Sequence, residues 1–341
     1  MLAFTRRAFA ATALATVSLG ILGAPAFAQQ LPMKLTWNTS DGPKDPYAIV
    51  AHAFADGITQ RIPDAVDIQF YPNNQLGDEK LMMEGLRFGT IDAAIVTNAL
   101  IATIEPGFQV VDMPFLFDDA KKAHEVLDGP IGQELMASLE KGGIIGLGFA
   151  EGGFRHMINN VRPVSAPSDV EGVKFRVMQN PVFIDMFRSL GGNAVPIGWG
   201  ETFTAAQQGT VDGLEIPLAV IASNKYSEVV KYLSLTKHTY SALGVLVSKR
   251  FFDKLAPEQQ DALREAAADA IKTQREQVAA NEAEMVSTLE EQGMTVNDVP
   301  DVTVFRDKVG PVYEQFRSSI GEDLFDRTLA AVGGNEPASA N

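Results

Sequence analysis

The sequence predicts an α/β protein of two lobes braced by one long helix, on three observations. Segments with strand-like and helix-like periodicity alternate along the first half of the chain, which points to an α/β architecture. The segments EGLRFGTIDAAI (84–95) and TAAQQGTVDGLE (204–215) share a helix end, then G-T-[IV]-D, then a strand. Each is preceded by a glycine and an acidic residue, Gly77-Asp78 and Gly200-Glu201, so one module is read twice, once per lobe. Between Pro257 and Gly293 there is neither glycine nor proline, and Ala, Glu, Gln and Arg dominate. Those good helix formers predict a helix of about 54 Å, longer than one lobe is wide.

Taken in order, Met33–Trp37 alternates as a first strand, and the polar loop 38–46 leads to a helix over Tyr47–Arg61. A strand over Val66–Tyr71, the loop 72–77, a helix over Asp78–Phe88 closed by Gly89, and a strand over 90–96 complete the first module. Val110–Phe117, broken by Pro114, reads as a buried strand-to-turn segment, and a helix is expected over Asp119–Glu140. A glycine-rich strand over 142–149 follows. It lacks a dinucleotide fingerprint, because Glu151 stands where the third glycine would fall. In Glu171–Pro217 a strand alternates Val173, Phe175 and Val177 with Lys174 and Arg176. The helix after it has Asn180 as N-cap and Pro181 at its first position, with Val182, Phe183, Met186, Phe187 and Leu190 as its apolar stripe. A second helix, over Glu201–Gln208, ends at Gly209. Arg176 therefore stands at the C-terminal end of a strand, the edge where open α/β sheets bind ligands, although on pattern alone a solvated strand-face cation is the alternative. Beyond it come a helix and short strand over 226–235, a strand through Val245–Val247, the long helix with Gly293 as its cap, and a disordered tail over 332–341.

The 341 residues suffice for two domains with separate cores, and 46% hydrophobic content with a mean hydropathy of +0.01 is ordinary for a soluble globular chain. Residues 1–28 read as a cleavable export signal: Arg6 and Arg7, the apolar run 8–23, and Ala26-Phe27-Ala28, with cleavage after Ala28. Thr5–Phe9 also resembles a twin-arginine signal. No later apolar run reaches the roughly 18 residues of a membrane span. Without Arg6 and Arg7, 26 basic residues face 43 acidic ones, a net charge near −17, which argues against nucleic acid or anionic lipid as partners. The absence of cysteine excludes disulfides, thiol catalysis and thiolate metal sites. The sequence contains neither a G-x-S-x-G elbow nor a G-x-x-x-x-G-K-[ST] loop, and His52, His124, His156 and His238 lack ligand spacing, so no cofactor, metal or catalytic residue is expected.

The ordered segments YPNNQLGDE, DMPFLF, GVKFRV, GGNAVPI and QQGTVDGLE, within Leu31–Ala331, resemble the solute-binding proteins of tripartite ATP-independent periplasmic (TRAP) transporters. The resemblance implies a periplasmic-binding-protein-like (type II) fold with lobe I at 31–152 plus 242–281 and lobe II at 153–241 plus 282–331. It implies a monomeric periplasmic receptor, not an enzyme, that delivers a small organic acid to a sodium-coupled TRAP permease. Arg176 falls on the family's carboxylate clamp and Arg155 on a supporting cation. Asn38, Glu79, Thr97, Gln179 and Trp199 fall on positions lining the cleft, and Glu215 and His238 on positions that couple closure. Turn, helix-start, strand-end and packing roles stay open for these residues. Many members read V-D-G-x-E-N-P where this chain has Ile216, which replaces an amide by an alkyl group and implies a less polar ligand body. C4-dicarboxylates, sugar acids, 2-oxo acids and aromatic acids all remain open as ligands. The alternatives are a secreted carboxylate-processing enzyme and a ligand-sensing partner of a membrane receptor.

Overall fold

The computed structural model describes residues 30–333. The expected signal segment, its cleavage point and all but the first two residues of the expected tail lie outside them. Nine strands form one mixed sheet: β1 Leu31–Thr36, β2 Val66–Tyr71, β3 Ala93–Thr97, β4 Ile144–Asn159, β5 Lys174–Val177, β6 Asn193–Pro196, β7 Gly213–Pro217, β8 Tyr232–Ser248 and β9 Thr295–Asp298. The order is β2-β1-β3-β8-β4-β7-β5-β6, with β9 beside β8. The long antiparallel strands β4 and β8 run through the centre and carry one half of the sheet into the other.

The repeated sequence module is a repeated structure. In one half β1 pairs in parallel with β2 and β3, and in the other β5 pairs in parallel with β6 and β7. The Asp92 carboxylate accepts the Lys34 N–H at 2.9 Å, and the Asp212 carboxylate accepts the Lys174 N–H at 2.9 Å. Gly89 (φ 74°) and Gly209 (φ 71°) make the same left-handed turn into β3 and β7, a conformation costly for a side-chain-bearing residue. β3 then pairs antiparallel with β8, and β7 with β4, so the two long strands exchange roles across a pseudo-twofold. The register sets Asp78 opposite Gly198 and Glu79 opposite Trp199, rather than matching Asp78 with Glu201.

The apolar residues divide by sheet face and not by half. Successive strand residues point to opposite faces, so Ala94 and Val96 join one core and Ala93 and Ile95 the other, as do Met157 and Ile158. The first core lies under the helices Glu79–Phe88, Ala120–Asp128, Pro130–Ser138 and Pro181–Ser189 and the C-terminal helices. The second lies under Pro46–Arg61, Trp199–Gln207, Leu218–Ser223 and the long helix Pro257–Glu291. This long helix packs on Pro46–Arg61 in one half and on Leu218–Ser223 and β9 in the other, which is the bracing its length foretold.

Several expected elements differ. The helix over 119–140 is two, because Pro130 lacks an N–H and holds Gly129 extended (ψ −170°). Residues 106–112 form a 3-10 helix rather than a strand, and Phe115, at φ 57°, donates its N–H to the His238 carbonyl at 2.8 Å. The glycine-rich segment and Glu151–Arg155 belong to the single strand β4, whose register shifts beside Gly148 and Gly153 absorb the glycines. The helix and two short strands expected over 226–247 are a 3-10 turn, Tyr226–Glu228, and the single strand β8.

Gln274, fully buried on the long helix, ties these parts together. Its Oε1 accepts the Glu151 N–H at 3.0 Å, and its Nε2 donates to the carbonyls of Glu151 (2.5 Å) and Pro46 (3.1 Å). Gln274→Leu removes all three of these buried hydrogen bonds at similar side-chain volume, so a loss of about 2–4 kcal/mol is expected in urea unfolding. A loss below about 0.5 kcal/mol would show that these bonds contribute nothing net.

Candidate functional site

The C-terminal ends of β1, β3, β5 and β7 meet where the two halves face each other. Two small voids of about 20 Å³ each lie there, sharing Glu79, Arg176 and Trp199 as walls. Each is room for about one water in this conformation. Asn38 follows β1, Thr97 ends β3, Arg176 lies in β5 with Gln179 just beyond it, and Ile216 lies in β7. Glu79 and Trp199 open the helices that follow β2 and β6. Asn38, Thr97, Arg155 and Ile216 line one void, Gln179 lines the other, and Glu79, Arg176 and Trp199 line both. All eight residues singled out from the sequence are thus brought together. Thr39, Tyr47, Met178, Pro217 and Val220 also line the first void and were not foreseen. Period-two alternation could have flagged Met178 and Pro217 as strand ends; Tyr47 and Val220 enter only through tertiary folding.

The two arginines differ. Arg155, 3% exposed, is compensated: its Nε donates to Glu215 Oε2 (2.5 Å), and its Nη2 to Glu215 Oε1 (2.9 Å) and the Glu215 carbonyl (2.5 Å). Its guanidinium also lies 5.3 Å from the Phe183 ring centroid. Burial pushes the Glu215 carboxyl up, but Arg155 and the His238 hydrogen bond (3.2 Å) outweigh it and leave it below its ordinary value. Arg176 is 4% exposed, which rules out the solvated strand-face reading. Its Nε donates to the Ile197 carbonyl at 2.8 Å, and its guanidinium carbon lies 5.9 Å from the Trp199 ring. Among the described residues no carboxylate pairs with it and its Nη groups have no hydrogen-bond acceptor. Burial lowers its pKa, yet an arginine keeps its charge at neutral pH.

Glu79 faces this cation from the other half. Its Oε1 accepts the Thr97 N–H at 2.7 Å, and burial lifts the carboxyl to about 7 against the pull of that bond and of Arg176. Asp112, also buried, is lifted to about 7 mainly by burial, with Asn98, Asn180 and Arg155 opposing. Asn38 Oδ1 is buried without a partner.

Helix N-caps bond across the halves in a matched pair. Asp45, cap of Pro46–Arg61, accepts from Thr39 (2.7 Å) and, in the other half, from Ser223 (2.9 Å) and Asn224 (3.3 Å). Asn180, cap of Pro181–Ser189, donates to the Ala99 carbonyl (2.8 Å) and to Asp112 (3.2 Å).

The family model for "bacterial extracellular solute-binding protein, family 7" matches residues 37–319. The chain is 35% identical to the 2,3-diketo-L-gulonate-binding periplasmic protein of Escherichia coli, over 86% of this chain and 90% of that one. A TRAP periplasmic solute-binding protein from Bordetella bronchispeptica, with density interpreted as pantoate, superposes with a TM-score of 0.84 at 38% identity over 88% of this chain and 98% of that one. Another, from Polaromonas sp. JS666 bound to D-erythronate, does so with a TM-score of 0.85 at 37% identity over 88% and 99%.

The folded-state value of Glu79 lies above its ordinary 4.5, so its contribution to stability is fully present below about 4.5 and lost as pH rises through 7. Glu79→Gln keeps an acceptor for the Thr97 N–H without the charge. Unfolding at pH 5 and pH 8 should therefore show the variant gaining on the parent at the higher pH, by about 3 kcal/mol at most. An equal gap at both pH values would contradict a raised carboxyl.

Proposed function

The chain belongs to bacterial extracellular solute-binding protein family 7, the periplasmic substrate-binding components of TRAP transporters, and on that premise we propose that Arg176 captures a small organic acid by its carboxylate between two closing lobes. The family is one of receptors rather than enzymes. The observation that carries the assignment is a buried guanidinium with no carboxylate at ion-pair distance among the described residues, Glu215 and Glu79 acting on it only from further away. Desolvating a charge costs several kcal/mol unless a partner offsets it, and a carboxylate is the planar, bidentate partner that a guanidinium fits. Arg155 supports the site through its positive field and its hold on Glu215, not as a second free clamp. Asn38, Glu79, Thr97, Gln179, Trp199 and Ile216 surround the body of the ligand.

A ligand held by both halves favours the closed state by the difference in its affinity for the two states. We propose the halves as lobe I (31–152 plus 242–281) and lobe II (153–241 plus 282–331), joined where β4 and β8 cross. The C-terminal helices touch both, since Tyr313 donates to the Pro114 carbonyl at 2.8 Å and Gln315 to Asp185 at 2.7 Å. The closed monomer then presents the acid to the sodium-coupled membrane permease.

Arg176→Ala should weaken binding of the acid by at least about a hundredfold in calorimetry. Stability of the unliganded protein should be kept or raised, because a buried cation without a contact ion pair is gone. Arg176→Lys, a point charge without the fork, should lose at least about tenfold. Affinity within threefold of the parent in the lysine variant would remove the bidentate assignment.

A further inference from the structure

We infer that the cavity selects short hydroxylated acids carrying one carboxylate and an alkyl-branched carbon, and rejects dicarboxylates; this rests on the capture of a carboxylate by Arg176 proposed above.

The first support is the charge inventory. Arg176 is the buried cation left unpaired among the described residues lining the cavity, because Arg155 is neutralised by Glu215. A second carboxylate on the ligand would find no free buried cation. It would also share the cavity with the Glu79 carboxylate, whose second oxygen has no hydrogen-bond partner among the described residues. Lys80 lies at the rim, exposed and beside Asp78. Like charges in a water-excluded space repel strongly, so Glu79 acts as a filter against dianions.

The second support is the pseudo-twofold. The same register that equates Lys34 with Lys174 and Asp92 with Asp212 equates Asn38 with Met178, Thr97 with Pro217, and Glu79 with Trp199. In each pair the first module supplies a polar group and the second an apolar one. In the void lined by Asn38 and Ile216, the first module thus sets Asn38, Glu79 and Thr97 around the space, and beside Arg176 the second module sets the alkyl groups of Met178, Ile216, Pro217 and Val220 and the indole of Trp199. Ligand hydroxyls can donate to Asn38 Oδ1, which is buried and unpartnered, and to Glu79. A hydroxyl turned toward the side chains of Ile216, Met178, Pro217 and Val220 meets no hydrogen-bonding group on them, whereas a methyl group gains burial.

The test is calorimetry on the mature chain at pH 8, where Glu79 is ionised, with three acids built on a four-carbon chain. Pantoate has two hydroxyls and two methyls, erythronate has hydroxyls only, and succinate has a second carboxylate. Pantoate should bind about tenfold tighter than erythronate, from two buried methyls, and about a hundredfold tighter than succinate. Glu79→Gln should improve succinate affinity by at least about tenfold and change pantoate less. Succinate within threefold of pantoate, erythronate tighter than pantoate, or no binding by any of the three overturns the inference. The clamp itself is judged apart: Arg176→Lys must weaken every acid that binds, and a variant that keeps those affinities removes the underlying reading instead.

Discussion

The arrangement turns on a buried guanidinium, that of Arg176, with no carboxylate at ion-pair distance among the described residues. Two buried arginines stand in one cavity, and only the partner of each separates their roles. Glu215 satisfies Arg155 through both carboxylate oxygens and a backbone carbonyl, so Arg155 is structural charge locked into β4 and β7. Arg176 gets one carbonyl and the face of an indole. It stays in place because β5 is flanked on both sides by parallel strands that fix its backbone. The fold tolerates the cost of this desolvated charge.

Duplication supplies the frame around that charge. Each module presents strand ends and a helix start to the same space, and β4 and β8 exchange roles so that each half is completed by the strand that leaves the other. The cap residues Asp45 and Asn180 extend the symmetry, since each closes its own helix and also bonds to the half opposite. Gln274 fixes the long helix to β4 near the crossing point. The two halves share one sheet and both apolar cores, and polar side chains such as Asp45, Asn180 and Gln274 add specific bonds between their parts. The side chains inside the cavity break the symmetry, and this makes a duplicated frame into a specific site.

Much of this was legible in the chain itself. Local patterns identified the module twice, because G-T-[IV]-D encodes a glycine turn and an aspartate that must accept the N–H of a neighbouring strand. Asn180-Pro181 and the glycine-free stretch before Gly293 identified a helix start and a long brace, both set by propensities acting within a few residues. The same local reading failed at β4 and β8. Glycine-rich and polar residues inside those strands look like breaks, and only pairing across the sheet, with bulges to absorb them, makes them continuous.

The sequence by itself determined which residue types stand at the strand ends, and with them an arginine at position 176 and an isoleucine at 216. It could not decide which arginine would be free, because that depends on Glu215, a residue 60 positions from Arg155 in the chain, reaching it at hydrogen-bond distance. Nor could it decide that polar and apolar linings would face each other, since the walls come from segments over a hundred residues apart. Charge compensation and burial are properties of contacts between distant segments, and the tertiary structure alone makes those contacts.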